Sequence, residues 1–155
     1  MKTILFIAIS LFYILPTPLS WSQELTFEAH ALTKELNHIG RGFGFYVIEN
    51  GFAAQSMDDL IFSNTTKLKS KKHPIYGEYE LTFGDIASSG VPPVLNDSEY
   101  LGAWVVLTEV PCKIAKEIDV LSVDGTLNAE DGSLRYSPEC EKATTLYYLL
   151  ARVKE

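Results

Sequence analysis

The first 39 residues contain no glycine, and no acidic residue precedes Glu24. The whole chain has two cysteines, and no CxxC or HxxxH spacing occurs in it. His30, His38 and His73 lie far from Cys112 and Cys140 in sequence, so no metal-ligand pattern forms. No G-x-S-x-G elbow is present, and no Lys-Ser/Thr follows the glycines at 40, 42 and 44, which excludes a phosphate loop. Positive charge is scarce. There are 13 basic against 20 acidic residues, a net charge of −7. Nucleic acid and anionic lipid both demand a positive surface, so neither is an expected partner.

What stands at the N-terminus is a basic start, Met1-Lys2-Thr3, and then the apolar run Ile4–Leu15. Pro16 and Pro18 follow, and Ser20-Trp21-Ser22 puts small residues at −3 and −1 of a cut before Gln23. This order is the pattern of a cleavable secretory signal over residues 1–22. The run is shorter than the roughly 20 residues of a membrane span, so an uncleaved anchor is the competing reading. Cleavage leaves 133 of the 155 residues, with a net charge of −8 once Lys2 is gone. That length suits one domain with a real core, periplasmic or extracellular, with no membrane attachment after cleavage. In an exported chain Cys112 and Cys140 read as a disulfide. Its loop contributes about 3.5 kcal/mol in the chain-entropy model.

Periodicity is clearest over residues 24–49. Leu25, Ala29, Leu32, Leu36, Ile39, Phe43 and Tyr46 fall at steps of four and three, one apolar seam on a helix. Glu28, Lys34, Glu35, Asn37 and Arg41 lie off the seam. Gly40, Gly42 and Gly44 either let the helix approach a sheet closely or mark an early end, and Asn50-Gly51 terminates it. Ser56 and Asp59 outline a short capped helix, and Ser63–Pro74 reads as a surface loop. Ile75–Phe83 predicts a strand with Tyr79, Leu81 and Phe83 on one face. Residues 84–99 read as a loop and Tyr100–Val110 as a strand ended by Pro111, which also suits the first turn of a helix over Cys112–Ile118. Asp124-Gly125 predicts a hairpin turn, Leu134–Glu141 looks irregular, and Thr144–Val153 is a last strand near the sheet centre. The sum is α+β: a long N-terminal helix packed on an antiparallel sheet of about four strands.

Four stretches, in order, resemble a type IV pilin globular domain, above all its type IVb, PilS-like branch. The seam helix Leu25–Val47 is similar to the globular half of the pilin spine. Pro74-Ile75-Tyr76-Gly77 resembles the run leading to the first strand, and Val110-Pro111-Cys112 the start of the disulfide region. Ser137-Pro138-Glu139-Cys140 with Thr144–Val153 resembles the closing cysteine and last strand. The prepilin peptidase motif and the polymerisation half-helix are missing. The resemblance therefore implies a soluble pilin-like protein that acts by binding, in assembly of a type IV pilus or a related secretion apparatus, with pilus or secretion subunits as partners.

The sequence shows no catalytic constellation and calls for no cofactor or metal. Asp58-Asp59 and Glu130-Asp131 have structural readings as a helix N-terminus and a turn. A spatial carboxylate pair would make the chain a small secreted hydrolase. The other alternative is a periplasmic or secreted inhibitor or ligand-binding module. Asn64-Thr65-Thr66 and Asn96-Asp97-Ser98 fit the glycosylation pattern, but the match is short and the resemblance points to a bacterium. Recognition tends to sit on loops, which makes Lys67, Lys69, Lys71, Lys72 and Tyr100 the candidate partner contacts. The plain reading of the four lysines is a solvated loop.

Overall fold

The seam residues do what their spacing requires. In the structure, a computed structural model that describes residues 21–86, 89–93, 101–121 and 132–152, helix α1 runs Trp21–Asn50. Ala29, Leu32, Leu36, Ile39, Phe43 and Tyr46 are all buried along one stripe, and Leu25 packs half-buried at its start. Each large side chain removed from water this way contributes roughly 1.5–3 kcal/mol. Asn50-Gly51 ends the helix as the sequence predicts. Gly51 takes a φ of 77°, and its amide returns to the Val47 carbonyl at 2.8 Å. The expected signal cut, between Ser22 and Gln23, falls in the first turn of α1.

Helix α2, Met57–Phe62, is fixed by a capping box. The Ser56 hydroxyl accepts from the Asp59 amide, while the Asp59 carboxylate accepts from the Gln55 and Ser56 amides at 2.9 Å each. Those two amides, Gln55 foremost, hold the Asp59 carboxyl below its usual range.

Four antiparallel strands follow: β1 (Tyr79–Asp85), β2 (Leu101–Pro111), β3 (Leu134–Arg135) and β4 (Ala143–Arg152), in spatial order β1-β2-β4-β3. Helix α3, Cys112–Leu121, leaves directly from the end of β2. Tyr79, Leu81 and Phe83 pair with Leu107, Val105 and Ala103, and Leu107 and Val105 pair onward with Leu146 and Tyr148. Strand side chains alternate, so this register places one apolar set under α1. The other set, Thr82, Trp104 and Leu149, with Glu80, Val106, Tyr147 and Arg135, lies on the opposite face.

That opposite face has its own centre. Trp104 and Arg135 are both essentially buried, and the guanidinium stacks 4.7 Å from the indole centroid. Arg135 donates to the carbonyls of Ile86, Gly90 and Gly132, and the Trp104 indole N–H to that of Gly84. One cation thereby pins Ile86, Gly90 and the approach to β3 onto the sheet.

Cys112 and Cys140 are joined as a disulfide, with Cα atoms 5.9 Å apart. The bridge ties the start of α3 to the segment before β4, which the Cys112 amide also reaches through the Lys142 carbonyl. On α3, Ile114, Ala115 and Ile118 are buried. Thr26 of α1 donates to Glu117 at 2.9 Å, and Tyr136 to the buried Asp119 at 3.2 Å.

Several sequence expectations are corrected. The first strand starts at Tyr79 rather than Ile75, because residues 73–77 form a turn and Ile75 is largely exposed. Pro111 ends β2, paired with Ala143, and α3 begins at Cys112 as expected, but it runs on to Leu121 rather than stopping at Ile118. Leu134–Arg135, expected to be irregular, is a short strand whose two residues pair with Tyr148 and Tyr147. The glycines do not end α1 early. Tyr100, Asn96-Asp97-Ser98, the Asp124-Gly125 turn, Glu130-Asp131 and the apolar run Ile4–Leu15 lie outside the described residues.

Candidate functional site

Gly42 opens the site. A Cβ there would lie 2.7 Å from the Thr65 carbonyl oxygen, so only glycine lets the 65–66 segment press against α1. Gly42 thus approaches a loop, whereas Gly40 approaches the sheet, where an added Cβ would lie 3.8 Å from the Leu150 carbonyl oxygen of β4. The loop then runs back along the helix, and a cleft of about 260 Å³ is left between them. Ala31, Ile39 and Leu68 give it apolar walls, and Lys34, Glu35, His38 and Lys67 ring it. Thr66 also lines it, and its side chain is buried.

Beneath the cleft sits a polar cluster centred on Glu35. His73 is buried, with Nε2 3.5 Å from the Glu35 carboxylate. Its Nδ1 accepts from the Ile75 and Tyr76 amides, each at 3.0 Å. Two amide donors on Nδ1 leave that nitrogen unprotonated, so the ring proton sits on Nε2 and faces Glu35. Tyr76 stacks on the imidazole at 4.5 Å, and Tyr79 meets it edge-on at 5.7 Å. Burial lowers the His73 pKa below its usual 6.5, and the Glu35 charge opposes that shift. Burial, and then the carboxylates of Glu28 and Glu35, raise the Tyr76 phenol. Burial first and Glu35 second push the Tyr79 phenol far above its usual value.

Among the described residues, the hydroxyls of Thr66 and Tyr79 are the buried side-chain polar atoms without a hydrogen-bond partner. Both belong to this region. Glu35 lies near enough to Tyr79 to repel its phenolate without accepting a well-formed bond. A buried unpaired hydroxyl costs about 1–3 kcal/mol.

The chemistry of the cluster follows from these bonds. Both His73 nitrogens are engaged, so the imidazole holds the 73–77 turn and is not presented to a substrate. Among the described residues, Glu35 is the one carboxylate that lines the cleft. No group of three or more His, Cys, Asp or Glu that could hold a metal ion exists among the described residues. What remains is a small apolar-walled recess with charged groups at its mouth, an arrangement suited to binding.

Of the residues expected to contact partners, Lys67 lines the cleft. Lys69 and Lys72 are exposed, and Lys71 is ion-paired with Asp58 of α2. Sequence reasoning missed Glu35, Thr66 and His73. His73 followed by Pro74 and two residues that donate amides is a turn signal of the Asx type, and it was the one available clue.

Among the described residues, no helix is long and apolar enough to cross a membrane. Comparison with protein-family models, with curated proteins and with solved structures gave no match.

Proposed function

We propose that this chain is an exported, non-enzymatic, pilin-like protein. It acts by binding other proteins in the assembly of, or binding by, a type IV pilus or related secretion apparatus. The observation that carries the reading is the arrangement of α1. A 30-residue helix lies by one continuous seam on a four-stranded antiparallel sheet, and a disulfide brackets the region from the end of β2 to the start of β4. A disulfide suits an oxidising compartment outside the cytoplasm. A cut before Gln23 would leave the seam intact from Leu25 onward.

N-terminal sequencing of the mature protein, joined to immunodetection in sheared filament fractions, tests this. The expected result is a start at Gln23 and co-fractionation with filaments. Retention of the apolar run Ile4–Leu15 would overturn the soluble-protein reading. A second reading, an exported ligand-binding module, is favoured by the apolar-walled recess at Glu35. Free monomer in periplasm or supernatant, absent from filaments, would select it.

A further inference from the structure

In a chain with 20 acidic and 13 basic residues, one long surface is almost free of carboxylates. His30, Lys34, His38 and Arg41 recur at four-, four- and three-residue steps, which sets them on one stripe of α1. Three adjoining depressions run along that stripe. The first is bounded by Phe27 and His30 and the second by His30, Lys34, His38 and Arg41. The third is the cleft, where Lys34 and His38 face Lys67. Among the described residues, neither of the first two is lined by an acidic residue, and the third has only Glu35, which is already turned to His73. Lys34, Arg41 and Lys67 are exposed and make no ion pair among the described residues. Apolar anchors stand at both ends: Phe27 is 72% exposed at one, and Ile39 and Leu68 wall the cleft at the other.

We infer that this face of α1 docks an acidic peptide segment of a partner protein, one with carboxylates spaced between apolar side chains. From Phe27 to Arg41 the stripe is roughly 20 Å long at 1.5 Å per residue, the reach of about six or seven extended residues. The carboxylates meet Lys34, Arg41 and Lys67, and apolar side chains fill the recess and cover Phe27. The apolar ends favour a peptide over a polysaccharide, and the chain's negative charge disfavours nucleic acid and anionic membrane. The inference stands whether or not the chain is exported or pilus-associated.

The test uses the purified protein and a fluorophore-labelled heptapeptide of glutamate and leucine, read by anisotropy. Controls are the same peptide with glutamine for glutamate, heparin, and vesicles of anionic lipid. Saturable binding that weakens with added salt is expected. The pair Lys34→Glu with Lys67→Glu should weaken it about tenfold. The exposed pair Lys116→Glu with Lys142→Glu should leave it within about twofold. Equal binding of the glutamine peptide overturns the inference, as does equal loss from both charge reversals. Tighter binding of heparin or vesicles overturns the peptide assignment, and salt-sensitive self-association that displaces the peptide assigns the face to a second copy instead. Circular dichroism of both double variants confirms that any loss is not unfolding.

Discussion

The two faces of the sheet are held by different chemistry. Beneath α1 the packing is apolar: Phe43, Leu36 and Ile39 from the helix share one buried core with Val105, Leu107 and Leu146 from the strands. On the far face a single cation, Arg135, joins three carbonyls and one indole. The first face measures volume and tolerates apolar side chains of similar size. The second measures geometry, since only a planar, forked donor reaches three separate acceptors while stacking on a ring.

The largest predicted effects put that difference to a direct test. Phe43→Ala should cost about 3–5 kcal/mol in urea unfolding, and Phe43→Leu about 1–1.5. Arg135→Ala should cost about 3 kcal/mol, since it leaves the carbonyls of Ile86, Gly90 and Gly132 without their donor. Arg135→Lys should recover little of that. If the lysine variant is as mild as the leucine one, both faces obey the same rule and the contrast fails.

The α1 side has its own border between apolar and polar packing, at His73, where the core meets Glu35. The sign of its pH dependence follows from its lowered pKa. The unfolded chain takes up a proton near 6.5, while folded His73 resists until lower pH. Stability is therefore fully present above that value and is lost as the pH falls through 6.5 toward the folded pKa. His73→Asn supplies an oxygen near the position of Nδ1, able to accept the Ile75 and Tyr76 amides without titrating. Wild type should lose stability relative to this variant between pH 7.5 and 5.5, as read by denaturation midpoints. Parallel midpoints across that range would remove His73 as the titrating group.

Legibility divides along the same line. The apolar face could be read because helix and strand periodicity record burial directly: every seam residue from Ala29 to Tyr46 is buried, and so are the expected Ala115 and Ile118. Local signals were equally readable, as the Ser56–Asp59 box and the Gly51 terminator show. Arg135 and Glu35 gave no such signal. Arg135 lies in a two-residue strand beside turn residues, and two of its three acceptors are more than 40 residues away, at Ile86 and Gly90. Glu35 sits off the seam, and nothing near it in sequence tells that the 66–79 segment returns across it. Polar clusters assembled from distant segments carry no period, so only the tertiary structure shows them.

The smallest predicted effect is the sharpest, because it asks on which side of the border Tyr79 belongs. Its ring is buried in the apolar set of β1, while its hydroxyl is buried without a partner near the Glu35 carboxylate. Tyr79→Phe keeps the ring and removes only the unpaired group. If Tyr79 is simply part of the apolar face, the variant should be neutral or more stable by up to about 1 kcal/mol, because no hydrogen bond is lost and a desolvation cost disappears. A loss of more than about 1 kcal/mol would mean that the hydroxyl has a partner in solution, with Glu35 its nearest acceptor. Repeating the substitution with Glu35→Gln present separates the outcomes. An unchanged increment leaves Tyr79 with the core, whereas coupling between the two positions extends the polar cluster from the cleft down into the sheet.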